Sequence, residues 1–172
     1  MDSMVQFCDV SFTYRHRSTP SVKNVSLQVS QGEFLLLTGA TGCGKSTLLK
    51  MLNGLIPHES GGRFVGEVFV GGRSTRGLGV AEMSHTVGMV FQNPDDQIFS
   101  TTVFDEVAFV LENMGLKPAQ IEPQVKEALQ LVGLIDKAET SVHALSGGQK
   151  QRLAVAAVLA AKPQVLALDE PI

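Results

Sequence analysis

The sequence has 172 residues, of which 44% are hydrophobic and 18% are charged, and its net charge is −3 at pH 7. This length and composition predict one globular domain with a core of its own and exclude a disordered chain. Because the charge is negative and no long run of Lys or Arg is present, the composition argues against nucleic acid as the main partner.

The sequence also disfavours secreted, metal-binding, disulfide-rich and membrane-spanning proteins. The start of the chain, MDSMVQF, has neither a basic segment nor a long apolar core, so we expect no signal peptide. The two cysteines, Cys8 and Cys43, form no spacing typical of a metal site or a disulfide framework. The longest apolar run in a predicted helix, residues 153–161, is too short to span a bilayer. We therefore expect a soluble cytosolic domain.

Short β segments are predicted for the first third of the chain. Apolar and polar residues alternate in places over residues 5–14 and 24–29. Residues 34–38 form a continuous apolar run, which predicts a strand covered on both faces. A helix follows over residues 46–53, and residues 67–72 indicate a strand and then a turn.

The second half is predicted to be mainly helical. Apolar residues recur at helical intervals over residues 101–114 and 118–132, with Gly115 and Gly133 placed as helix stops. Residues 92–145 are therefore interpreted as a helical insert.

Two buried strands and a nearly apolar helix complete the predicted elements. The strands are predicted at residues 87–91 and 165–168, and the helix at residues 147–161, with Pro163 as its stop. Strands that alternate with helices predict an α/β fold with a largely parallel sheet.

The stretch GATGCGKS, residues 39–46, matches the pattern G-x-x-x-x-G-K-[ST] between a predicted strand and a predicted helix. Glycines let backbone N–H groups surround phosphate oxygens, and the positive end of the following helix points to the same place. Lys45 is expected to reach the β- and γ-phosphates and the Ser46 hydroxyl to bind Mg²⁺. The alternative is a chance glycine-rich turn. The predicted nucleotide-binding residues of this phosphate loop are Gly39, Ala40, Thr41, Gly42, Cys43, Gly44, Lys45, Ser46 and Thr47.

Cys43 lies inside the phosphate loop. The simpler interpretation is a small side chain that fits there. A thiol activated by its proximity to the helix end and Lys45 is the alternative.

A second glycine-rich helix start lies at LSGGQKQR, residues 145–152. Ser146 is expected to cap the helix, and Gly147 and Gly148 leave its first N–H groups uncovered. This partial anion site lacks a lysine like that of the phosphate loop. It is therefore either an ordinary capped helix or half of a shared site, in which one copy closes over the nucleotide of another.

GATGCGKST, Gln92, LSGGQ and VLALDEP occur in an order that resembles the ATPase subunits of ABC transporters, and the resemblance covers essentially the whole chain. LSGGQ is that family's signature motif. The stretch FQNPDDQIFSTTVFDEVAF, residues 91–109, is most similar to energy-coupling-factor ATPases, which drive uptake of vitamins or of cobalt and nickel. Other ABC importers or exporters remain the alternative.

The resemblance implies an α/β fold of the P-loop NTPase (RecA-like) type, with an N-terminal antiparallel β subdomain and a helical insert subdomain. The chain is then a single ABC ATPase domain, 1–172. It divides into the β subdomain with the phosphate-loop core (1–91), the insert (92–145), and the signature helix with a final strand (146–172).

Residue roles carried over from the family are likewise implications of the resemblance. Tyr14 matches the aromatic residue that stacks on adenine, and Gln92 the glutamine that contacts Mg²⁺ and the attacking water. Glu170 matches the catalytic glutamate that polarises this water. The implied catalytic residues are Lys45, Gln92 and Glu170, and the implied metal ligands are Ser46, Gln92 and Asp169. The residues implied to contact the partner's nucleotide are Leu145, Ser146, Gly147, Gly148 and Gln149.

Each role has a structural alternative. Tyr14 would otherwise pack at a strand end, and Asp169 with Glu170 would form an acidic turn. Asp95 and Asp96 are predicted to be solvated loop residues that cap a helix or contact a partner, and not catalytic acids.

The family also implies ATP and Mg²⁺ as cofactors. A second ABC ATPase subunit, identical or different, would sandwich ATP, and integral membrane subunits would carry the solute. The protein would then be cytoplasmic and peripheral on the inner face of the cell membrane, with no nucleic acid as partner.

Beyond Pro171 the family continues with a D-loop, a further strand and a switch histidine. All four histidines here precede Asp169, so we expect a C-terminally truncated domain with little or no ATPase activity of its own. Three hypotheses stay open: part of a transporter ATPase, a soluble ABC protein acting on DNA or ribosomes, and a nucleotide-binding fragment. The sequence does not identify a transported substrate.

Overall fold

The computed structural model describes residues 3–171, so Met1 and Asp2 of the MDSMVQF start and the terminal Ile172 lie outside the described residues. The chain divides into two compact units, one up to Val87 and the other from Gly88 onwards. The predicted division at 91, 145 and 146 stays a prediction. Within the described residues, no helix combines the length and apolar character needed to cross a bilayer.

The first unit is built on a four-stranded sheet. Its strands are β1 (Ser3–Tyr14), β2 (Val22–Ser30), β3 (Gly62–Val70) and β4 (Arg73–Ser74), in the order β2-β1-β3-β4. All three pairings are antiparallel. The predicted strands over 5–14, 24–29 and 67–72 are therefore confirmed, and so is the N-terminal antiparallel β subdomain that the family resemblance implies. The largely parallel sheet expected from the alternation of strands and helices is not found in this sheet. The local alternation predicted the strands, but pairing direction depends on contacts between distant segments.

Three helices complete this unit: α1 (Lys45–Leu52), the single turn α2 (Leu55–His58) and α3 (Val80–Ser84). The predicted helix over 46–53 corresponds to α1. Helix α1 contacts α2 and β3. The buried apolar residues of the unit come from both strands and helices and include Val5, Phe7, Val10, Phe12, Val22, Met51, Leu52, Ile56, Val68, Val70, Met83 and Val87.

The apolar run at residues 34–38 is not a strand in the structure, and this prediction is wrong. Phe34, Leu35 and Leu36 are 88%, 42% and 70% exposed. A strand covered on both faces needs neighbouring strands that supply hydrogen-bond partners, and neither described sheet includes these residues.

The second unit contains the predicted helices, as α4 (Val103–Asn113), α5 (Pro118–Leu131) and α6 (Gly147–Ala160). The helices end close to the predicted stops. The side chain of Thr102 caps α4 by accepting a hydrogen bond from the Asp105 N–H. One buried cluster joins all three helices, with Val107, Leu129 and Leu153 fully buried in it. The apolar face of α6 therefore packs with the helices of the predicted insert.

Two strands, β5 (Val87–Val90) and β6 (Val165–Leu168), form a separate two-stranded sheet, whose first residue is also the boundary between the units. Strand β5 is largely buried, as predicted, and Val90 packs with Ala154 and Val158 of α6. Strand β6 is present but is not buried along its length, because Leu166 is 41% exposed. That part of the prediction is wrong. An apolar run is covered only where further elements lie against it.

Candidate functional site

The phosphate loop leads directly into α1. Gly44 lies at the N-cap of α1 with φ +104°, a conformation that favours glycine, and Leu48 N–H donates to the Gly44 carbonyl at 3.0 Å. The Lys45 ammonium lies over the loop and donates to the carbonyl oxygens of Gly39 at 3.0 Å and Ala40 at 3.3 Å. A cation, a helix N-terminus and the loop N–H groups are thereby concentrated in one segment, an arrangement that binds phosphate.

Tyr14 lies next to this loop within the same unit. Its phenol oxygen is 3.2 Å from Thr47 Oγ1, in the first turn of α1. Its ring packs on Phe12 in a T-shaped arrangement, with centroids 4.8 Å apart and an angle of 81° between the ring planes. A cavity of about 490 Å³ opens beside Tyr14, and its lining includes Arg15, Arg17 and Arg63. The structure thus places a half-buried aromatic ring at an open cavity near the phosphate loop, as stacking on a base requires.

Cys43 is exposed and carries a free thiol. Its sulfur lies close to Gly39, since a Cβ built at Gly39 would be 2.8 Å from Cys43 Sγ. This contact supports the simpler interpretation, in which a small side chain fits the turn of the loop.

The signature segment, residues 145–149, begins helix α6. Ser146 caps the helix as predicted: its Oγ accepts from the Gln149 N–H at 3.3 Å, while Gln149 Oε1 accepts from the Ser146 N–H at 2.9 Å. Leu145 is buried in the helical cluster. The two glycines therefore present the first N–H groups of α6, and the side chains on either side of them hold that turn in place.

We expect a Gly148→Ala substitution to leave the chain folded but to impair any association that uses this helix end. No atom lies within 4 Å of a Cβ built at Gly147 or Gly148, so the fold itself does not require a glycine there. Thermal unfolding and ATP-dependent association would be measured together, with Gly79→Ala, which is equally free of neighbours, as control. If association of Gly148→Ala were unchanged, this helix end would have no role in it. A large fall in Tm would show that the fold does not accommodate a Cβ at this position.

The predicted acidic pair lies directly after β6. Asp169 is buried, 6% exposed, and its N–H donates to the Val90 carbonyl at 2.9 Å, which fixes the end of β6 against β5. Glu170 is exposed and adopts φ +49°. Gln92 Nε2 donates to Glu170 Oε2 at 2.7 Å, so two residues that were predicted separately are brought together.

The chemistry of the predicted metal ligands fits Mg²⁺. Ser46, Gln92 and Asp169 offer hydroxyl, amide and carboxylate oxygens, which are the hard donors that this ion prefers. No cluster of three or more His, Cys, Asp or Glu side chains that would hold a metal ion is found within residues 3–171.

Three polar residues that the sequence analysis missed hold the segment between Gln92 and α4. Gln97 accepts from the Phe91 N–H and donates to the Met89 carbonyl. Buried Glu106 accepts from the N–H groups of Phe99 and Ser100, at 3.1 and 2.9 Å. Lys150 of α6 donates to Asp95 at 2.5 Å, so Asp95 is paired and is not a purely solvated residue. Only the stretch FQNPDDQ itself, dense in amides and acids, could have indicated such a network.

Proteins of similar sequence support the assignment of this chain to a family. The chain is 55% identical over 170 residues to an ABC transporter ATP-binding protein of Methanosarcina acetivorans, covering 99% of this chain and 26% of that protein. It is 51% identical to a protein of the same description from Pyrococcus abyssi, covering 98% of this chain and 60% of that one. The chain thus spans between about a quarter and three fifths of the length of these curated relatives.

Two solved structures share the fold. The first is cbiO1 from Clostridium perfringens, described as part of the ABC transporter complex cbiONQ, with a TM-score of 0.85, 32% identity and coverage of 99% of this chain and 66% of that one. The second is the ATP-binding cassette MJ0796, a dimer in a post-hydrolysis state with ADP and Pi, with a TM-score of 0.83, 29% identity and coverage of 98% and 74%.

These neighbours confirm the predicted α/β P-loop NTPase fold. The family model described as "ABC transporter" matches residues 22–172. That match covers well over half of the sequence and contains every predicted motif except Tyr14, and on that ground the chain belongs to the ABC transporter family.

Proposed function

We propose that this chain is the ATP-binding part of a transporter ATPase that couples ATP binding and hydrolysis to solute transport. The observation that carries the proposal is the phosphate loop, with Lys45 folded over it and Tyr14 hydrogen-bonded to Thr47. Within one unit, this arrangement provides donors for phosphates and an aromatic face for a base.

The first unit would hold the nucleotide. Backbone N–H groups of residues 39–47 surround the phosphates, and Lys45 exchanges its bonds to the Gly39 and Ala40 carbonyls for bonds to the β- and γ-phosphates. The adenine ring stacks on Tyr14 in the cavity beside it. Bound Mg²⁺ would neutralise charge on the transferring phosphoryl group, with Ser46, Gln92 and Asp169 as its protein ligands.

Residues of the second unit would act on the attacking water. Glu170 accepts the proton of this water as general base, and Gln92 holds the Glu170 carboxylate through the 2.7 Å hydrogen bond. The buried Asp169, fixed by its N–H bond to Val90, provides a carboxylate of constant position. Much of the rate acceleration would then come from positioning and charge neutralisation.

The finer assignment concerns the transported solute. The stretch 91–109 and the similarity to cbiO1, part of a cbiONQ complex, support an energy-coupling-factor ATPase for a vitamin, cobalt or nickel. The proposed partners are a second ABC ATPase subunit, which the dimeric MJ0796 supports, and integral membrane subunits. The site of action is then the cytoplasmic face of the cell membrane. Co-purification with membrane subunits and not with nucleic acid would separate this assignment from a soluble ABC protein acting on DNA or ribosomes.

We expect Tyr14→Ala to weaken ATP binding about 10- to 100-fold, since stacking of one base on an aromatic side chain contributes about 1–3 kcal/mol. Binding of inorganic triphosphate should stay within about twofold, because the phosphate loop is unchanged. Both affinities would be measured by calorimetry in the presence of Mg²⁺.

Tyr14→Phe is the matched control, because it keeps the ring and removes only the hydroxyl that meets Thr47. If the wild-type chain bound no ATP, the proposed function would be wrong. If Tyr14→Ala reduced ATP and triphosphate binding equally, Tyr14 would have a structural role and not a stacking role.

A further inference from the structure

The side chain of Gln97 pairs with the backbone of β5 as a neighbouring strand would. Gln97 Oε1 accepts from the Phe91 N–H at 3.1 Å, and Gln97 Nε2 donates to the Met89 carbonyl at 3.2 Å. The carbonyl of one residue and the N–H of the second residue after it lie on the same side of a strand. One amide side chain therefore satisfies both backbone groups on this side of the end of β5.

The opposite side of the same strand end is held by the strand that carries the acidic pair. The Asp169 N–H donates to the Val90 carbonyl at 2.9 Å. Val90 is fully buried against Ala154 and Val158. The end of β5 is thus fixed between Gln97 on one side and Asp169 on the other.

Gln92 follows this strand end after one residue, Phe91, whose N–H is bonded to Gln97. The position of the Gln92 backbone is therefore set by the Phe91 peptide. Gln92 in turn donates to Glu170, which is the residue after Asp169. A shift at the end of β5 would change the Gln92–Glu170 geometry.

The short turn that carries Gln97 has a second anchor. The Asp95 carboxylate pairs with Lys150 on α6, and the Asn93 side chain caps the turn by accepting from the Asp95 N–H at 3.2 Å. Gln97 is thus supported by a turn that is attached to α6, and its amide is presented to β5 in a fixed position.

We propose that Gln97 is a positioning residue for the Gln92–Glu170 pair. This inference rests on the proposed function, in which that pair acts on the attacking water. The strand end offers one donor, the Phe91 N–H, and one acceptor, the Met89 carbonyl. The amide of Gln97 satisfies both because it carries an acceptor oxygen and a donor nitrogen. In this proposal Gln97 acts through the backbone before Gln92 and takes no part in binding nucleotide or water.

The test compares Gln97→Met with Gln97→Glu. Methionine keeps the length of the side chain and loses both hydrogen bonds. Glutamate retains the acceptor for the Phe91 N–H and loses the donor to Met89. Gln130→Met is the matched control, since Gln130 is exposed on α5, in the same unit.

Amide hydrogen exchange of the 172-residue chain, followed by NMR, reports on the positioning directly. We expect Gln97→Met to speed exchange of the Phe91 N–H about fivefold or more, which corresponds to the loss of one hydrogen bond. Gln97→Glu should keep this amide protected, and Gln130→Met should change nothing. If the Phe91 N–H of the Gln97→Met variant exchanged at the wild-type rate, the proposal would be overturned.

Turnover supplies the second readout, in the ATPase assembled with its partner subunit. We expect Gln97→Met to lower kcat about tenfold or more, since small misplacements of reacting groups are costly, while ATP affinity stays within about twofold. An unchanged kcat, or an equal loss of ATP affinity, would overturn the proposal. A wild-type protein that bound no ATP would instead refute the proposed function, and the exchange experiment would still decide whether Gln97 holds β5.

Discussion

Replacing Gly44 by alanine is expected to lower ATP affinity about 100-fold, a loss of about 2–3 kcal/mol of binding free energy. A Cβ built at Gly44 would lie 2.4 Å from the Ser21 carbonyl oxygen, and Gly44 has φ +104°. Ser21 cannot easily retreat, because its N–H is bonded to the Phe12 carbonyl of β1 at 2.8 Å. The peptide that precedes Lys45 must therefore move, and the lysine and the helix start move with it.

The measurement is a calorimetric titration with ATP, accompanied by circular dichroism to verify the fold. Gly42→Ala is the matched control, because Gly42 also has a positive φ, +81°, but has no atom within 4 Å of a built Cβ. It carries the backbone strain alone, about 1 kcal/mol, and should reduce ATP affinity much less. Equal losses in the two variants would show that the collision with Ser21 is not the cause.

Sequence reasoning was most accurate where structure depends on neighbouring residues. The periodicity over 101–114 and 118–132 predicted α4 and α5 to within about two residues, because a helix closes its own hydrogen bonds and needs only one apolar face. The cap at Ser146 was predicted for the same reason, since its partner Gln149 lies three residues away.

The errors concern pairing between distant segments. The run 34–38 has the composition of a buried strand, yet Phe34 is 88% exposed and neither described sheet includes the run. Apolar composition makes burial of a segment favourable, but tertiary contacts determine whether the segment is buried. Leu166 is 41% exposed although β6 pairs with β5, so strand pairing alone does not bury a side chain.

The candidate site was predicted in part, and motif recognition supplied that part. The roles of Gln92 and Glu170 came from the resemblance, and the structure adds that these residues, 78 positions apart, share a hydrogen bond. The supporting contacts carried no motif. Nothing in the sequence pairs Asp95 with Lys150, 55 positions later, or directs the Gln97 amide to the backbone of β5.

Replacing Glu170 by glutamine is expected to reduce ATP turnover about 100- to 10,000-fold, the range that a general base contributes. The amide has nearly the same shape, and its carbonyl oxygen still accepts from Gln92 Nε2, so the geometry of the pair is preserved. What is lost is the negative charge and the ability to take a proton from water. ATP affinity should stay within about twofold, since Glu170 does not belong to the phosphate loop.

Glu170 also adopts φ +49°, a left-handed conformation that costs a non-glycine residue about 1 kcal/mol, and such strain is retained mostly where a side chain must be aimed. Single-turnover kinetics in the assembled ATPase would measure the chemical step apart from binding. Glu112→Gln, an exposed glutamate on α4, is the matched control for loss of one charge and should match the wild type. If Glu170→Gln turned over ATP at the wild-type rate, Glu170 would not be the base. A parallel fall in ATP affinity would indicate that Glu170 instead stabilises the turn after β6.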